Sequence, residues 1–106
     1  MTATLRAGYA RVDITPEEPV PLAGMVGLHE RLSTGVRDPI FVRAVALEEG
    51  GTRVAVVSAD LLTPAPGLRA AVAEALGKRP GESLFLACTH SHSTPGGYWD
   101  LWNSIP

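Results

Sequence analysis

Leu84-Phe85-Leu86-Ala87-Cys88-Thr89-His90-Ser91-His92-Ser93-Thr94-Pro95-Gly96-Gly97 is the stretch on which the reading of the chain turns. An apolar run stops at a His-x-His pair, and the residues after it cannot continue a strand. The run from Ser83 to Cys88 has the length and bounded character of a buried β-strand. Thr89 to Ser93 then lie at its C-terminal tip, where open α/β sheets carry their sites. Residues two apart in an extended chain point the same way. His90 and His92 are therefore expected to face one point, with ring nitrogens free to bind a metal or move a proton. Two solvated loop histidines are the alternative reading. Pro95-Gly96-Gly97 breaks the strand and lets the backbone approach whatever occupies that point.

Working upstream, the spacing predicts a helix over Pro64 to Leu76, with Leu68, Val72, Ala75 and Leu76 on one face. Pro64 or Pro66 suits its first turn, and Gly77 with Lys78-Arg79 suits its end. Before it, Pro39 to Leu47 and Thr52 to Ser58 are strand-like runs joined at Gly50-Gly51, which predicts a β-hairpin. The second run ends in Ser58-Ala59-Asp60, again polar at a strand tip. Hairpin, helix and His-bearing strand make the second half a β-α-β crossover, with its two strands parallel in one sheet. Asp60 and the His90/His92 pair then share a rim, where a carboxylate can ligate a metal or orient an imidazole. An N-cap or loop ion pair is the competing role for Asp60.

Leu5 to Ile14 reads as a short strand stopped at Thr15-Pro16, where Asp13 can cap or bind, or simply satisfy nearby turn amides. Residues 16 to 37 form a long Pro- and Gly-punctuated loop, a kind that is commonly functional or disordered. It holds the third histidine, His29, and Arg31 and Arg37, which are candidates for anchoring a polar substrate group. The tail from Tyr98 to Pro106 gathers three aromatics in five residues, which calls for an apolar cleft or for further chain to cover it. The fold class expected is α/β: a short N-terminal strand, a β-hairpin and a β-α-β crossover in a mixed sheet.

At 106 residues the chain is long enough for one small domain; it is 45% hydrophobic and 19% charged, with a formal net charge of -2. No basic run points to nucleic acid, and the balance provides no attraction to an anionic membrane surface. Cys88 is the single cysteine, so neither an internal disulfide nor a Cys-based zinc knuckle can form. Its apolar strand disfavours a thiolate, and with it a nucleophilic role. The opening residues lack the basic and apolar regions of a signal peptide. No apolar stretch approaches the ~20 residues that span a bilayer. The expectation is a cytoplasmic chain without a transmembrane segment.

Three enzyme classes place His-x-His after an apolar strand. The metallo-β-lactamase pattern continues as His-x-His-x-Asp-His, but Thr94 and Pro95 occupy its last two ligand positions here. Barrel amidohydrolases carry the pair on a first strand, without a preceding hairpin and crossover. The third class fits. Thr89-His90-Ser91-His92-Ser93-Thr94-Pro95-Gly96-Gly97 resembles the Thr-His-Thr-His-Ser-Gly-Pro-Gly segment of the neutral/alkaline non-lysosomal ceramidase family. Gly8-Tyr9-Ala10-Arg11-Val12-Asp13-Ile14-Thr15-Pro16 resembles that family's opening, and Pro21-Leu22-Ala23-Gly24-Met25 its glycine turn. Asp38 to Ala44 and Val56 to Leu61 resemble its hairpin, so ordered motifs cover nearly the whole chain. Ser91 in place of Thr and Thr94 in place of Gly are the departures.

The resemblance implies a zinc-dependent amidohydrolase (Zn2+) that cleaves the N-acyl bond of ceramide-like lipids to a sphingoid base and a fatty acid. It implies that His90 is a zinc ligand and that His92, beside metal and substrate, transfers a proton. Asp60, Ser93 and Arg31 are possible supporting residues. The family completes its zinc site with a further His, a Glu and a Tyr far downstream. The chain is accordingly expected to be an N-terminal fragment, residues 1–106, of a larger α/β catalytic domain whose remainder is missing, and inert by itself. Zinc would polarise the amide carbonyl and acidify a water to a pKa of about 7. Two alternatives are a truncated non-catalytic α/β module and a relative hydrolysing a different N-acyl amide or an ester.

Overall fold

A computed structural model describes residues 4–24, 31–77 and 82–96. His29, Lys78-Arg79, Gly97 and the aromatic tail lie outside the described residues. Within them run β1 (Arg6–Asp13), β2 (Phe41–Glu49), β3 (Thr52–Ala59), α1 (Pro66–Leu76) and β4 (Glu82–Cys88). The strands form one four-stranded sheet in the order β1-β2-β3-β4. β1 and β2 pair antiparallel, as do β2 and β3, while β3 and β4 pair parallel across α1. This is the mixed α/β sheet expected.

The hairpin is set by its turn. Glu49 pairs with Thr52, so only Gly50 and Gly51 connect the strands. Their φ values of 55° and 83° are both left-handed, the requirement of a type I′ turn that matches strand twist. α1 begins with Pro66 in its first turn and ends at Gly77, whose N–H reaches the carbonyls of the last helical turn. Leu68 and Val72 are half-buried as the spacing predicts, Ala73 is half-buried as well, Ala75 is exposed, and the Leu76 side chain lies outside the described residues. Leu68 and Val72 follow the i, i+4 spacing, and Ala75, three residues further on the same side, lies beyond the covered part of the stripe. Arg69 Nη1 donates to the Leu84 carbonyl at 3.0 Å and ties α1 to β4.

The register divides the sheet into two unlike faces. Val57 and Ala59 of β3 and Leu84 of β4 are buried on one face, with Leu62 and Ala65 from the β3–α1 connection also buried. On the opposite face Tyr9, Val45, Val56 and Phe85 align across all four strands. They are 66%, 39%, 44% and 59% exposed, so this row is not covered. Arg11 and Arg43 stand directly opposite each other on that face, a repulsive pairing by itself. Both guanidinium groups lie over the Phe41 ring, at 4.4 and 4.9 Å from its centroid, which offsets part of the repulsion.

Candidate active site

β4 ends at Cys88, and from there the backbone leaves the strand. Thr89 N–H still reaches the Ala59 carbonyl, and His90 N–H the Leu61 carbonyl, both at 3.0 Å. His90 has a φ of 64°, the one left-handed non-glycine residue among those described. Strand alternation therefore does not bring the two histidines together, in contrast to the expectation from sequence. A left-handed kink at the first histidine does so. The rings nevertheless meet edge to face, with centroids 5.0 Å apart and planes at 79°.

Each ring is fixed from behind. His90 Nδ1 is 2.9 Å from the Leu62 carbonyl, and His92 Nδ1 is 3.1 Å from the Gly24 carbonyl. A carbonyl oxygen only accepts, so each Nδ1 carries the proton. In the neutral rings both Nε2 atoms then hold a lone pair. This is the arrangement by which histidine ligands are oriented: one nitrogen bonded to a carbonyl, the other presented.

The segment after the histidines pairs with the long loop. Ala23 N–H donates to the Thr94 carbonyl at 3.0 Å and Gly96 N–H to the Pro21 carbonyl at 2.9 Å. Leu22 and Pro95 form an antiparallel bridge. Pro95 and Gly96 thus bring the chain against residues 21–23. Thr94 is 3% exposed, with its hydroxyl 3.4 Å from the Ser91 carbonyl, so its side chain closes the turn. Ser93 is exposed and its N–H donates to Ser91 Oγ at 3.2 Å. Ser91, Ser93 and Thr94 line a cleft of roughly 810 Å³ together with Pro16, Val20, Val36 and Ile40.

Arg31 joins the two segments. Its Nη2 donates to the Ala23 carbonyl at 3.1 Å and also to the His92 carbonyl. The guanidinium sits beside the site, yet these bonds are to main chain, not outward to a ligand. Arg37 is far more exposed and forms only a 3.9 Å surface pair with Asp38. Asp60 reaches the rim, as expected, but its carboxylate is used elsewhere. It accepts from Phe41 N–H at 2.8 Å, Arg43 Nη1 at 3.4 Å and Thr89 Oγ1 at 3.2 Å. Both histidine Nδ1 atoms are bonded to carbonyls, so Asp60 orients neither imidazole. It ties β2 to the strand tips. Asp13 accepts the Thr15 N–H at 2.8 Å, and these Thr15 hydrogen bonds hold its carboxyl below the usual range. Burial pushes the Cys88 thiol up, which keeps it uncharged at neutral pH and unsuited to nucleophilic attack.

Among the described residues no group of three or more His, Cys, Asp or Glu side chains converges on a point that could hold a metal ion. The donor chemistry of the pair still fits zinc, because both rings present Nε2 in the ligating tautomer. Two imidazoles fall short of the three protein ligands of a catalytic zinc site. Gly24 was visible in the sequence only as part of a turn. The carbonyls of Leu62 and Gly24 carry no signal in residue type. Among the described residues, no helix is long and apolar enough to cross a membrane.

No family model matches the chain. It is 33% identical over 105 residues to a neutral ceramidase of Drosophila melanogaster and 34% identical over 104 residues to that of Drosophila pseudoobscura pseudoobscura. Each match covers 92% of this chain and 15% of the relative. Among solved structures, the neutral ceramidase from Pseudomonas aeruginosa superposes with a TM-score of 0.72 and 31% identity, over 92% of this chain and 17% of that one. A ceramidase complexed with C2 gives a TM-score of 0.70 and 32% identity, over 89% and 16%. The chain thus spans about a sixth of the length of the proteins it matches. Sequence and fold agree that it corresponds to an N-terminal part of the neutral ceramidase family.

Proposed function

We propose that this chain supplies the His-x-His corner of a zinc-dependent amidohydrolase that cleaves the N-acyl bond of ceramide-like lipids. The observation that carries the proposal is the paired orientation of the imidazoles. Both direct Nδ1–H at main-chain carbonyls and keep Nε2 available at the mouth of the fold. His90 would hold the zinc through Nε2; when bound, the metal supplies Lewis-acid polarisation of the amide carbonyl and acidifies water. His92, with its Nε2 lone pair 5.0 Å ring to ring from His90, takes a proton during attack and returns it to the leaving amine. The Gly24 carbonyl stabilises the His92 imidazolium that forms meanwhile, and the Leu62 carbonyl orients His90. The cleft beside Ser91 and Ser93 excludes water from one side of the substrate.

The remaining ligands come from outside these residues, so the isolated chain is expected to bind zinc weakly and to be inert. The test uses the full-length protein. His90→Ala abolishes zinc binding, while His92→Ala retains most zinc and loses about two to four orders of magnitude in turnover, the usual contribution of a proton-transfer group. Metal content and N-acyl amide hydrolysis, measured on both variants, decide the matter. Equal zinc loss in the two would make the pair a chelate and put proton transfer elsewhere.

A further inference from the structure

Gly24 lies 68 residues before His92 and has a φ of 95°. A Cβ built on it would come within 2.3 Å of His92 Nδ1, 2.8 Å of Cγ and 2.9 Å of Cε1. The imidazole therefore occupies the space that any side chain at position 24 would need, and the carbonyl of the same residue receives its Nδ1–H. Arg31 closes the arrangement from the other side, because one guanidinium nitrogen binds both the Ala23 and His92 carbonyls. The Nε of Arg31 is buried and has no hydrogen-bond partner among the described residues, a cost that the two main-chain contacts offset.

We infer that Gly24 and Arg31 are positioning residues for His92: the missing side chain admits the ring, the Gly24 carbonyl selects its tautomer, and Arg31 holds its main chain. The inference deepens the hydrolase reading, since it states what keeps Nε2 of the proton-transfer residue facing outward. It requires no metal, and its test needs none.

The full-length protein, prepared without metal and labelled with 15N in histidine, is read by long-range 1H–15N correlation at mildly alkaline pH, with the two signals assigned by His90→Gln and His92→Gln. Wild type is expected to show His90 and His92 both as Nδ1–H tautomers, against the Nε2–H form that free side chains favour in water. Gly24→Ala shifts His92 to the Nε2–H or averaged pattern and leaves His90 unchanged, because the partner of His90 is Leu62. Arg31→Met does the same. Gly8→Ala, where a Cβ meets nothing within 4 Å, changes neither ring. A wild-type His92 in the Nε2–H form overturns the inference, as does an unaltered His92 in either variant. If Gly24→Ala disturbs His90 as well, Arg31→Met decides, and loss of both patterns there too overturns the local role. None of these signals reports hydrolysis, so an intact cradle in a protein without amidase activity would sink the functional reading alone.

Discussion

His90 combines two features in one position: an imidazole oriented through its Nδ1 and a backbone that L-residues avoid. Its φ of 64° costs about 1–2 kcal/mol relative to the right-handed regions. Strain of this kind gathers at functional sites, where the surroundings over-determine the conformation. His90→Gly and His90→Ala both remove the ring, but only glycine relieves the backbone. The glycine variant should be the more stable by roughly 1 kcal/mol, or somewhat less given its greater freedom when unfolded. Urea unfolding of the two variants reads the difference, and an alanine variant as stable as the glycine one would mean that the kink carries no strain. Asp60 makes a complementary case. Its carboxylate satisfies Phe41 N–H and joins Arg43 to Thr89, so Asp60→Ala leaves a partly buried donor unpaired. The expected loss is about 1–3 kcal/mol of unfolding free energy, with the His90 tautomer preserved.

At the scale of elements, the hairpin, the helix and the terminal strand were legible because each is punctuated. Gly50-Gly51 can form the tight left-handed turn, Pro66 opens α1, and the apolar run ending at Cys88 has strand length. The candidate site was legible as residue types and less so as geometry. The histidine pair is legible, but strand alternation does not account for its juxtaposition, because the strand ends at Cys88, two residues before His90. A left-handed φ at histidine carries no signal in the sequence. Arg31 was visible as a free cation, and its main-chain bonds depend on a loop pairing across 61 residues that no local pattern encodes. Asp60 was placed on the right rim, yet its partners come from β2, and register rather than composition brings them there.

The whole molecule has an uncovered side. Tyr9, Val45, Val56 and Phe85 form a continuous apolar row on the face opposite the small core. Exposed apolar surface of this kind favours association. The isolated chain is expected to bind a hydrophobic dye and to self-associate with rising concentration, and Val45→Lys with Phe85→Glu should reduce both. Dye fluorescence and sedimentation test this; a monomer silent to the dye would show the row to be covered. The sheet order also repeats the chain order, so each strand docks on the one made just before it. The site instead joins His92 to a loop 68 residues earlier. Such a closure is slow compared with sequential pairing. During synthesis the receiving loop and the first three strands precede the imidazoles, so the seat for the His92 ring is made before the ring that fills it.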